Sequence, residues 1–342
     1  MSYGFETLLL DLSKNIASDA HLKVGVPVYF RVLDELEKTD HPVPTSQEMA
    51  EIASLVLGPE GLVRLHRDHQ ADVIFTPESS GMRFRISFYT QRGTLGAVIR
   101  QIPRSPPTLS EIGLPKLAEE MLDKHRGIIL ITGPAGAGKT TTAASFIRHW
   151  NENCSYHIVT LEDPIEYNID SGRSVVTQRE IGKDTPTFAS GLRRVLRQDP
   201  DIIYVGELRD LNTVSIAIAA AETGHLVIST LHTPNAATTL EQIIGLYPAN
   251  QQAQARTQIS ITIQGILSQV LIPNIDRTKR VAAFEVMNPT DAMRNLIRQN
   301  QTFRVTDAME TTTNSLSLTK SLQEMVRKRI IHQKEAKKYE GV

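Results

Sequence analysis

The 342 residues exceed one average domain and suggest two, and a 40% hydrophobic share can bury a sizeable core. Lys+Arg (37) and Asp+Glu (38) leave a net charge of -1, so no global positive field exists to hold a nucleic acid or an anionic membrane. A single cysteine, Cys154, excludes an internal disulfide and a four-thiolate zinc site, which fits a reducing compartment.

The N-terminus carries Glu6 and Asp11 and no basic segment, which argues against a secretory signal peptide. Phe5, Leu8, Leu9, Leu12 and Ile16 recur at helical spacing and predict an opening amphipathic helix. Val26, Val28, Phe30 and Val32 alternate as in a half-buried strand. Thr45 and Glu48 form a capping box ahead of Met49, Ile52, Leu55 and Val56, which starts a second helix. Residues 73–75 and the alternation Phe84, Ile86, Phe88 add further strands. These elements define an expected mixed α/β domain over 1–101.

The stretch 102–115, IPRSPPTLSEIGLP, has four prolines in fourteen residues and reads as a linker. From 116 to 342 short apolar runs alternate with helical segments, the pattern of a parallel sheet covered on both faces. The candidate strands are 128–131, 158–161, 202–205, 226–229 and 281–286. An Ala-rich helix is expected over 213–222, stopped by Gly224, and the cation-rich tail 327–338 reads as a solvated final helix. Nowhere do about 18 apolar residues run without a charge. The fold class is α/β.

GPAGAGKT, Gly133, Pro134, Ala135, Gly136, Ala137, Gly138, Lys139 and Thr140, matches the phosphate-binding loop and directly follows the apolar run RGIILIT. The glycines let successive N–H groups point at phosphates, at the positive end of a helix starting near Lys139. Lys139 adds a point charge on the phosphates, and the Thr140 hydroxyl is placed for Mg²⁺. DPDIIYVGE delivers Glu207 two residues past an apolar strand, where an acid can orient and deprotonate water or hold the Mg²⁺ shell. LEDPIE puts Glu162, Asp163 and Glu166 after another strand. Carboxylates packed so closely suggest a Mg²⁺ and water site, with a solvated acidic turn as the alternative.

AETGHLVISTLHT brackets a strand with His225 and His232, either of which could report a γ-phosphate to its surroundings. Arg193 and Arg197 stand one helical turn apart, and Arg83, Arg85, Arg92 and Arg100 crowd a short span of the first domain. Guanidinium groups suit planar contact with phosphate.

GPAGAGKTT with Thr141, TLEDPIE, DPDIIYVGELRD and AETGHLVISTLHT, in this order, resemble the motifs of the secretion ATPases that power type II secretion and type IV pili. ASDAHL (17–22), FRISFYTQRGTLGAVIRQIP (84–103) and AMRNLIR (292–298) extend the resemblance, most of all to the pilus-retraction branch. The resemblance implies a homohexameric ring of protomers, each with a PAS-like N-terminal domain joined flexibly to a RecA-like ATPase core. It further implies ATP and Mg²⁺ as cofactors and Glu207 as catalytic glutamate. His225 and His232 would form a histidine box, and Arg85 and Arg100 would reach phosphates from the first domain. Glu162 and Glu166 are both candidates for the essential acid of the LEDPIE segment. The implied partner is an inner-membrane pilus platform protein (PilC-like), not nucleic acid, and the implied place is the cytoplasmic face of the inner membrane, peripheral only. The lack of a four-cysteine zinc site favours retraction over a PilB-type assembly role. Met293 and the DRTKR segment (276–280) depart from the family pattern, which leaves a PilU-like accessory role open.

Overall fold

The computed structural model describes residues 4–14, 17–33, 35–78, 80–102 and 104–339. The chain divides into two compact units, Met1–Arg104 with Arg277–Lys279 and Ser105–Asp276 with Arg280–Val342.

In the first unit the order is α1 (Phe5–Lys14), β1 (Ala17–Lys23), β2 (Val26–Val32), β3 (Glu35–Lys38), α2 (Ser46–Asp68), β4 (Gln70–Phe75), β5 (Arg83–Gln91) and β6 (Thr94–Ile102). Phe5, Leu8, Leu9 and Leu12 are buried, as their helical spacing requires, while Ile16 lies outside the described residues. Thr45 caps α2: its hydroxyl accepts from the Glu48 N–H at 3.2 Å and its own N–H donates to Glu48 Oε2 at 2.8 Å. The helix is broken at Gly58, whose φ of 62° precedes Pro59. All strand pairs are antiparallel, in the order β3-β2-β1-β6-β5-β4. Phe84, Ile86, Phe88, Ala97 and Ile99 are wholly buried in one cluster with residues of α1 and α2. On the opposite face Arg31, Asp19, Arg100 and Arg85 are successive cross-strand partners. Asp19, itself buried, pairs with Arg100 at 2.8 Å and so separates two of the three cations.

The second unit runs α3 (Lys116–Glu119), β7 (Gly127–Thr132), α4 (Lys139–Asn153), β8 (His157–Glu162), β9 (Val175–Glu180), α5 (Phe188–Val195), β10 (Ile202–Val205) and α6 (Leu211–Glu222). It continues with β11 (Leu226–Leu231), α7 (Ala236–Gly245), α8 (Gln252–Thr262), β12 (Ile263–Pro273), β13 (Arg280–Met287) and α9 (Asp291–Arg298). It closes with α10 (Val305–Glu310), β14 (Ser315–Leu316), α11 (Leu318–Arg327) and α12 (Gln333–Ala336). One sheet, β14-β13-β12-β7-β11-β10-β8-β9, carries the unit. Alternate residues of its central strands enter opposite cores: Leu130, Ile203 and Val227 one, Ile129, Ile202 and Ile228 the other.

Two expectations are corrected. The sheet is mixed, because β13 returns antiparallel to β12 and β14 antiparallel to β13. The 281–286 run therefore belongs to a hairpin whose other arm, β12, has polar residues within it and gives no continuous apolar signal. The cationic tail is not one helix: α11 ends at Arg327, Arg329 takes a left-handed φ of 56°, and Ile331 turns inward to be buried before α12. Of the proline-rich stretch, Ile102 ends β6, while Leu109, Ile112 and Leu114 pack on the core of the second unit.

Candidate functional site: a phosphate-binding loop with an acid and a histidine

Strand β7 is buried at all six positions and ends at Thr132, where the loop 133–138 begins. Gly133 takes φ +143°, and a Cβ there would stand 2.2 Å from the Gln269 carbonyl oxygen, so only glycine fits. Gly136 and Gly138 take φ +76° and +85°, and left-handed residues at alternate positions are the kind of backbone from which anion-binding concavities are built. Gly138 is also the N-cap of the 15-residue α4 and offers no side-chain cap, which leaves the first helical N–H groups for an anion. Gln269 of β12 holds the loop from behind. Its amide N donates to Ala137 O, and its amide oxygen accepts from Thr142 Oγ1 at 2.8 Å.

Lys139, the first residue of α4, is buried and donates to Gly133 O at 2.8 Å and Pro134 O at 3.0 Å. Its third neighbour is His232 Nδ1, at 3.2 Å. An ammonium can only donate, so Nδ1 accepts and the imidazole proton sits on Nε2. That nitrogen is 3.5 Å from Glu207 Oε1, while Glu207 Oε2 pairs with Arg209 at 2.7 Å. Burial lowers the Lys139 pKa, with Glu207 pulling the other way. The loop lysine, the histidine and the acid thus form one chain of contacts at the C-terminal ends of β7, β11 and β10.

Glu162 ends β8 and is buried. Its Oε1 accepts from Thr160 Oγ1 at 2.7 Å and Gln178 Nε2 at 3.0 Å. Burial pushes its carboxyl up to about 7 against these bonds, and Glu166 and Glu180 push it the same way. Glu166 lies half-buried in the loop that follows. The next residue, Tyr167, ties that loop to the first turn of α4 through a 3.1 Å bond between its hydroxyl and Thr141 Oγ1. Thr140 is half-buried at the start of α4.

Other sequence candidates are placed elsewhere. His225 precedes β11, whose six residues span about 20 Å. It is therefore at the opposite end of that strand from His232, with Nδ1 3.1 Å from Ala220 O at the end of α6. Arg193 and Arg197 do not share a helix, because α5 stops at Val195. Arg193 donates to Asn212 Oδ1, and Arg197 is exposed in the following turn. Arg85 and Arg100 lie in the first unit, as cross-strand partners. Among the described residues no cluster of three or more His, Cys, Asp or Glu is arranged to hold a metal.

A family profile described as type II/IV secretion system protein matches residues 6–282. The chain belongs to this family. It is 39% identical over 305 residues to the type IV pilus retraction ATPase PilT of Pseudomonas aeruginosa, covering 89% of this chain and 88% of that protein. It is 36% identical over 304 residues to a twitching motility protein of Neisseria gonorrhoeae, covering 88% and 81%. The crystal structure of the pilus retraction motor PilT with bound ADP superposes with a TM-score of 0.86 at 39% identity, covering 98% of this chain and 96% of that one.

Several residues of this secretion-family site carried no signal of their own in the sequence. Gln269, Gln178 and Tyr167 support Ala137, Glu162 and Thr141 from outside the motifs, or from a motif's unremarked edge. Only Tyr167, adjacent to LEDPIE, was near enough to be noticed.

Proposed function

We propose that this chain is an ATP-hydrolysing motor that drives type IV pilus retraction. The observation that carries the reading is the continuous contact Lys139–His232–Glu207 beside an uncapped helix N-terminus. It joins a phosphate-binding cation to an acid able to take a proton from water. The N–H groups of 136–141 and the Lys139 ammonium bind and orient phosphate oxygens and offset the charge that grows on them. Glu207, aligned by Arg209 and His232, accepts the proton of the attacking water. The Thr140 hydroxyl fits Mg²⁺, a hard cation that takes oxygen ligands and keeps several waters, so no preformed carboxylate cage is needed. Glu207 and Glu162 would meet its water shell. When bound, Mg²⁺ neutralises phosphate charge. By family resemblance Arg85 and Arg100 also serve the phosphates.

The same reading includes a PAS-like domain over 1–101, a linker over 102–115 and a RecA-like core over 116–342. It also includes a homohexamer working peripherally at the cytoplasmic face of the inner membrane against a platform protein. No helix among the described residues is long and apolar enough to cross a membrane.

The test is a count of surface pili by electron microscopy on cells whose only copy carries Lys139→Ala, with steady-state phosphate release from the purified variant. More pili than wild type, with hydrolysis lost, is the expected result. Bald cells would replace retraction with assembly.

A further inference from the structure

Glu285 lies in the middle of β13, buried, and has no part in the chemistry described above. Its Oε1 accepts two hydrogen bonds. One comes from the Ala236 N–H, the first residue of α7, at 2.8 Å. The other comes from Ser268 Oγ of β12 at 3.3 Å. Ser268 in turn accepts from Thr132 Oγ1 at 2.9 Å, and Thr132 is the last residue before Gly133. All four residues are buried. Ala236 stands four residues after His232, and the short loop between them is also tied to α7, where Thr233 Oγ1 bonds Thr239 Oγ1 at 2.6 Å, Thr239 Oγ1 donates to Asn235 O at 2.7 Å and Asn235 Oδ1 accepts from the Thr238 N–H. One carboxylate oxygen therefore closes a buried path from the end of the P-loop strand to the end of the His232 loop. The loop that follows Thr132 leads to Lys139, whose side chain meets His232.

A buried carboxylate is costly to keep unless it satisfies donors that would otherwise stand unpaired. Here an apolar side chain of the same size would orphan a backbone N–H and a serine hydroxyl together. We propose that Glu285 is a positioning residue: by joining Thr132, through Ser268, to the N-terminus of α7, it holds His232 against Lys139. The inference rests on the ATPase reading for its consequence in catalysis, but the geometry it asserts stands without it. Loss of the joint lets α7 and the His232 loop move away from the P-loop, and Lys139 and Glu207 lose their common neighbour.

The test uses full-length Glu285→Leu, Glu285→Gln and Ser268→Ala proteins. The rate at which diethyl pyrocarbonate labels His232 without nucleotide, read by peptide mass spectrometry against the other histidines, is measured together with kcat and KM for ATP. Glu285→Leu should label faster at His232 and lose about tenfold in kcat with little change in KM, the mark of an interaction that matters in the transition state. Glu285→Gln keeps an acceptor oxygen and should restore both readouts. A Glu285→Leu protein that melts earlier but keeps wild-type His232 labelling and kcat would reduce Glu285 to a packing role and overturn the proposal. If Glu285→Leu does not fold, Ser268→Ala decides, since it cuts only the Thr132 side of the joint. Unchanged labelling and kcat there overturn the proposal equally. A wild type that releases no phosphate would sink the ATPase reading, and His232 labelling would still decide the joint.

Discussion

His232 Nδ1 lies 3.2 Å from Lys139 Nζ, although the two residues are 93 positions apart in the chain. With Gly133 O and Pro134 O this gives each of the three ammonium protons an acceptor. A phosphate that binds the loop must take over one of them. The half-exposed imidazole can yield more readily than the two carbonyls of the loop itself. His232 is therefore expected to give up Lys139 when a nucleotide binds and to keep its contact with Glu207. His232→Ala should lower kcat by about tenfold to a hundredfold, while the Kd for ADP stays the same or tightens. Isothermal titration and steady-state hydrolysis on one preparation check both.

Glu207→Gln keeps oxygen and size but cannot take a proton. Single-turnover hydrolysis should fall by roughly 10²–10⁴-fold while a fluorescent ATP analogue still binds. An unchanged rate would move the base elsewhere, and Glu162 would be next to test.

Glu162 links stability to pH. Its folded-state carboxyl titrates near 7, above the ordinary 4.5. Between those values Glu162 holds a proton in the folded chain that it has released in the unfolded one, so its contribution to stability falls as pH rises through this window and then levels off. Glu162→Gln keeps an acceptor for Thr160 and Gln178 and has no charge to bury. In nucleotide-free protein it should match wild type below about pH 4.5 and exceed it above pH 7, by at most about 3 kcal/mol. Melting curves from pH 4 to 8.5 read the difference, and a constant offset would show that ionisation is not the cause.

The loop glycines should differ in cost. Gly133→Ala meets a carbonyl oxygen at 2.2 Å and must displace β12 or the loop, whereas Gly136→Ala meets nothing within 4 Å and faces only its φ of +76°. Gly136→Ala should cost about 1 kcal/mol and Gly133→Ala several times that. Melting temperatures order the two, and equal costs would contradict the close approach of β12.

Elements whose pattern is local were legible. The capping box at Thr45, the apolar stripe of α1, the strand ahead of GPAGAGKT and the alternation Phe84, Ile86, Phe88 each follow from side-chain period or one turn of backbone. Strand β12 was not legible, because Ser268 and Gln269 interrupt its apolar run. They are buried because they hydrogen-bond to Thr132, Glu285, Ala137 and Thr142, partners visible only after folding.

By itself the sequence determined the motif: a glycine loop of the phosphate-binding pattern, its lysine, and an acid delivered past the end of a buried strand. Those depend on residue type and short spacing, which backbone geometry converts directly into structure. Tertiary structure alone decided which candidates meet. It put His232 on Lys139 and Glu207 and left His225 at the other end of β11. It also recruited Gln269 and Glu285 from a hairpin that no motif marks. The reason is that strand order and register bring together residues more than a hundred positions apart, as Thr132 and Ser268 are, and no local spacing encodes that pairing.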